Sequence, residues 1–107
     1  KDWQFKAHCE DVNKIEFNGN EFGRKPDLII NTSTEHFKND DWFVRIPSKT
    51  LVLVQSNNLV IPEHFSIVNS IEEMKKRFNF NELLYQGELE LNYKTNSYTR
   101  FMLIGRC

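Results

Sequence analysis

Asn31-Thr32-Ser33-Thr34-Glu35-His36 sets an amide, three hydroxyls, a carboxylate and an imidazole side by side in one short segment. Groups of this kind can hold a polar acceptor and take its proton. The Asn31 amide would orient the acceptor, Thr32 and Ser33 would add hydroxyls, and Glu35 or His36 would receive the proton. Imidazole suits that step because it titrates near neutrality. The segment follows directly on the apolar run Leu28-Ile29-Ile30, so the chain goes from a buried-looking stretch into polar groups without a spacer.

Each residue also has a plainer use. Thr32-Ser33-Thr34-Glu35 fits the S/T-x-x-E pattern of a capping box, with Thr32 and Glu35 closing a helix start. Capping and ligand contact are compatible, because a helix start at a sheet rim is itself a binding device. A histidine in a first helical turn is ordinarily a solvated surface residue. Glu-His-Phe occurs twice, as Glu35-His36-Phe37 and Glu63-His64-Phe65, each after an apolar run. Two Glu-His pairs on one rim would suit a divalent metal, but the recurrence is read as chance and no metal is assigned. Trp42 and Phe43 are read as a helix face packed on a sheet, with an acceptor-binding wall as the alternative. Lys75-Lys76-Arg77 is read as a solvated charge pattern at a helix end.

The elements that would position these groups are legible as hydrophobic patterns. Trp3, Phe5 and Ala7 alternate with Gln4, Lys6 and His8, which predicts a half-exposed strand over 3–9. The polar stretch that follows, punctuated by Gly19, Gly23 and Pro26, reads as a loop. Leu28–Asn31 and Leu51–Ser56 are uniformly apolar strands ending in polar residues, with one short helix between them that stops at Pro47. Such strands are characteristic of a parallel sheet covered on both faces. Their polar tips, Asn31-Thr32-Ser33 and Gln55-Ser56-Asn57, would then share one rim, where open parallel sheets bind ligands. Ser70 and Glu73 form a capping box for a helix over 70–79. Gly87 to Leu91 alternates like an edge strand or one with a single buried face, Tyr93 to Ser97 reads as a hairpin loop, and Phe101 to Ile104 belongs inside the sheet.

The chain has 107 residues, enough for one domain with a modest core, and residues 1–107 are read as a single α/β domain. Its net charge of −1 gives no field to hold a polyanion, so nothing in the bulk charge argues for nucleic acid. Aromatic residues at 13% exceed what a disordered chain carries. Cys9 and Cys107 make no disulfide framework and no zinc-type spacing, which points to a reducing, cytoplasmic setting. No membrane span or signal peptide pattern is found.

Taken together, "DLIINTSTEHF", "TLVLVQSNN" and "LLYQGELEL…YTRFMLIGRC" resemble the C-terminal half of a class I S-adenosyl-L-methionine-dependent methyltransferase. In that family the fourth strand ends in an Asn-type motif beside the transferable methyl, and an antiparallel seventh strand lies between the fifth and sixth. "WQFKAHCEDV" is similar to the third strand and its acidic turn. The resemblance implies that Asp11 takes the adenine amino group, Val12 packs on the ring and Asn31 lies by the cofactor. It implies a partial Rossmann-like three-layer sheet whose first strands are missing, since the family's glycine-rich turn is absent and Gly19–Gly23 does not replace it. The expectation is therefore a piece of a longer methyltransferase domain, with a small-molecule acceptor and no catalysis by this chain alone. Leu28–Asn31 would be an exposed edge, open to a missing N-terminal half or to a second copy. The alternative is a non-catalytic α/β interaction module that pairs through that edge.

Overall fold

The computed structural model describes residues 5–19 and 23–107. The chain is α/β, and the described residues form four strands in one open mixed sheet: β1 (Leu28–Asn31), β2 (Leu51–Asn57), β3 (Glu82–Asn92) and β4 (Ser97–Arg106), in the order β1-β2-β4-β3. β1 and β2 run parallel, with Ile30 opposite Leu53 and Asn31 opposite Val54. β4 lies between β2 and β3 and is antiparallel to both. Phe101 to Ile104 is thus interior, as its unbroken apolar run predicts, and β3 is an edge.

Helical structure is sparse. Helix α1 is Asp41–Val44 and α2 is Ile71–Arg77, with short 3-10 turns at Val12–Lys14 and Thr34–His36. The Ser70 hydroxyl accepts the Glu73 N–H at 3.1 Å, and the Glu73 carboxylate reaches back to the Asn69 N–H at 3.2 Å, so α2 starts where its capping box predicts. Met74 and Phe78 face inward from it. The single helix expected before Pro47 is two pieces. Asn39 breaks it by accepting the Asp41 N–H at 3.1 Å, a local bond that competes with helix continuation.

One face of the sheet carries the core. Val52 and Val54 of β2, with Phe101 and Leu103 of β4, pack against Trp42, Met74 and Phe78. The other face is not covered by any described residue, so the expected third layer is absent among them. Ile30 is 58% exposed, Tyr85 51% and Leu89 61%. Leu89 and Leu91 of β3 alternate as the sequence predicts, but toward this open face. The strand expected over 3–9 also fails. Trp3 and Gln4 lie outside the described residues, Phe5 to Glu10 is irregular and exposed, and no strand among the described residues pairs with it.

Candidate functional site

The carboxyl ends of β1 and β2 lie side by side, because the parallel register sets Asn31 against Val54, one residue before Gln55. The polar tips therefore share a rim. The Asn31 side-chain oxygen accepts the Ser33 N–H at 3.0 Å, closing a tight turn off the strand. Ser33, not Thr32, is the residue preceding the 3-10 turn, and its hydroxyl makes no capping bond. Thr34 is fully buried and donates its hydroxyl to the Gln55 carbonyl at 2.6 Å, tying the turn to β2. Thr32 and Ser33 are exposed. Arg100 Nη2 donates to the Thr32 carbonyl at 3.3 Å and to Gln55 Oε1 at 3.4 Å, so this part of the rim leans on β4.

Glu35 and His36 engage a different partner, the loop after β2. Phe65 N–H and Ser66 N–H both donate to the Glu35 carbonyl, at 2.8 and 3.0 Å. The Ser66 hydroxyl donates to the Phe37 carbonyl, and His36 Nδ1 lies 3.0 Å from the Glu63 carbonyl. These bonds lace the two Glu-His-Phe segments to each other. His36 and His64 meet edge to face, with ring centroids 4.7 Å apart. Glu35 is only 4% exposed, and its Oε2 lies 3.6 Å from His36 Nε2. The recurrence read as chance places one glutamate beside two histidines, since Glu63 contributes its backbone and its side chain is exposed.

Beside this cluster is an open cleft of about 560 Å³, lined by Asp11, Val12, His36, Phe37 and Phe65 among others. Asp11 opens the Val12–Lys14 turn and its carboxylate accepts the Asn13 N–H at 3.0 Å. Val12 is half-buried against the core. The structure thus brings Asp11, Val12 and His36 to one cleft, whereas Asn31, Thr32 and Ser33 are not among its lining residues. A smaller hollow of about 240 Å³, beside Gln55, Arg100 and Tyr85, opens on the bare side of the sheet.

Arg77 is the organising residue that the sequence hides. It forks onto Asp40 at 2.8 and 2.9 Å and donates to the Ser66 and Thr34 carbonyls at 2.8 and 2.7 Å. With its side chain 13% exposed, it belongs to the interior and not to a solvated face. His64 did have a signal, the repeated Glu-His-Phe; Arg77 had none, because its partners are remote in sequence. Among the described residues, three buried polar atoms have no hydrogen-bond partner: Glu35 Oε1, Trp42 Nε1 and Ser56 Oγ. Burial pushes the Cys107 thiol up, at the opposite end of β2, where its N–H pairs with the Thr50 carbonyl.

No family model, curated protein or solved structure matches the chain. No helix among the described residues is long and apolar enough to cross a membrane.

Proposed function

We propose that this chain is part of a class I S-adenosyl-L-methionine-dependent methyltransferase acting on a small-molecule acceptor. The observation that carries the reading is the strand order. An antiparallel last strand between β2 and β3 is the arrangement that family has around its fifth, sixth and seventh strands. β1 then takes the place of the fourth strand, with Asn31 at its tip. Asp11 would receive the adenine amino group and Val12 the ring, and both line the cleft that His36 shares.

S-adenosyl-L-methionine, when bound, would supply an electrophilic methyl for in-line transfer, the carbon–sulfur electron pair staying with sulfur. The Glu35–His36 pair would take the proton that the acceptor loses. Holding the two reactants in line supplies much of the acceleration, on the order of several kcal/mol. Among the described residues, β1 has β2 as its only neighbour, so its outer edge is open where the family's first strand would pair. Catalysis in this reading requires that pairing. Cys9 and Cys107 are free thiols, which suits a cytoplasmic setting.

The same open edge favours a second reading, an α/β interaction module that adds a strand from another chain beside β1. Calorimetric titration of the full-length gene product with S-adenosylhomocysteine separates the two. The methyltransferase reading expects binding that Asp11→Ala weakens about tenfold, the worth of one good hydrogen bond. No heat from a folded protein rejects it and favours the module.

A further inference from the structure

We propose that Glu35, His36 and His64 bind a divalent transition-metal ion of the zinc type. One ligand atom from each residue lies within 4.8 Å of the others. Ligand atoms around tetrahedral zinc stand about 3.3 Å apart, so the ligand atoms need to draw together by no more than about 1.5 Å. Two independent features point to a cation here.

The first is the histidine orientation. His36 Nδ1 faces the Glu63 carbonyl at 3.0 Å and His64 Nδ1 faces the Leu59 carbonyl at 2.7 Å. A carbonyl oxygen only accepts, so each Nδ1 carries the hydrogen and each neutral ring keeps its lone pair on Nε2. Metal-binding histidines are held in this way, with the far nitrogen bonded to a backbone carbonyl that fixes tautomer and ring angle. The second feature is Glu35. It is 4% exposed, yet its Oε1 has no partner among the described residues. A buried carboxylate with unused lone pairs is costly unless a cation or donor meets it. A simple Glu35–His36 ion pair uses Oε2 at 3.6 Å and explains neither Oε1 nor the setting of His64.

The frame around the site is fixed from both sides. The Glu35 carbonyl binds two N–H groups of the His64-bearing loop, and Arg77 ties the Thr34 and Ser66 carbonyls together. Two imidazole nitrogens and one carboxylate oxygen select zinc, cobalt or nickel over magnesium and calcium. Three protein ligands leave room for water or a ligand oxygen, and His36 opens onto the 560 Å³ cleft where such a ligand would enter. The site stands without methyl transfer. Where that reaction does occur, the ion would hold and acidify the acceptor heteroatom, whose proton would leave to water in the open cleft instead of to the Glu35–His36 pair.

Calorimetric titration of the 107-residue chain with zinc chloride, with no cofactor present, tests the site. One ion per chain is expected, with no heat from magnesium. His64→Ala and Glu35→Gln should each weaken binding at least about tenfold, while Glu63→Gln leaves it unchanged. Long-range proton–nitrogen spectra of the unmutated chain give a reading that needs no variant. The Nε2 signals of His36 and His64 should move on adding zinc while their Nδ1 atoms keep hydrogen. No heat from the folded chain, affinity retained in both variants, or a shift confined to His8 overturns the proposal. S-adenosylhomocysteine is absent throughout, so either result leaves the methyltransferase reading to its own test.

Discussion

Arg77 holds three segments at once: the Thr34 turn, Asp40 at the start of α1, and Ser66 in the loop that carries His64. A guanidinium can do this because its donors lie in a rigid plane; an ammonium is a point charge on a flexible stem. Removing it strands the Asp40 carboxylate, which is one-quarter exposed, and two backbone carbonyls. Arg77→Ala should therefore cost about 3 kcal/mol in urea unfolding, and Arg77→Lys should recover less than half of that. Equal stability of the lysine variant and the parent chain would show that charge alone matters and the fork does not. The sequence suggested a solvated basic run because Lys75-Lys76-Arg77 sits at a helix end. Residue type announces charge, but only the fold decides which of three adjacent cations turns inward. The same holds for Glu35, legible as a candidate base yet buried beneath a loop whose approach nothing local encodes.

At the scale of elements, the parts with their own local signal were legible. α2 has a capping box, β1 and β2 have unbroken apolar runs bounded by turn residues, and β3 and β4 flank a hairpin loop. What failed was pairing and continuity. The alternation of Phe5 and Ala7 is a pattern without a partner, and the Asn39-Asp40-Asp41 run prefers local turns to a helix. Gly105 is a further case in which the reason lies outside the strand. A Cβ there would sit 2.6 Å from the Glu82 carbonyl oxygen and 2.6 Å from the Phe80 ring, where β3 begins beside β4. The ring can move, the carbonyl cannot without shifting β3. Gly105→Ala should cost about 1–3 kcal/mol in urea unfolding, and it should remain destabilising in a Phe80→Ala background. Wild-type stability for Gly105→Ala would mean that β3 starts elsewhere in solution.

At the scale of the whole molecule, the described residues form one sheet with its core packed on a single face. The radius of gyration is 15.1 Å, against about 13 Å expected for a compact chain of this length. The elongation accompanies a sheet packed on one face only. On the other face Leu28, Ile30, Tyr85 and Leu89 stand in the open, and among the described residues β1 leaves its outer edge unpaired. The two functional readings differ in what becomes of that face. A methyltransferase sheet is covered on both sides, so Ile30 would be buried in the full-length gene product. An edge-pairing module leaves the face wet. Ile30→Lys separates these outcomes. In the 107-residue chain the side chain is 58% exposed, so the substitution should change stability by no more than about 0.5 kcal/mol. In the full-length product the methyltransferase reading expects a loss of about 2 kcal/mol or more, because an ammonium would have to enter an apolar layer. Neutral behaviour in both backgrounds places the face in solvent in the working protein. The parallel strands, the shared rim and the cleft would then belong to a binding module, with Ile30 beside the edge where its partner strand is added.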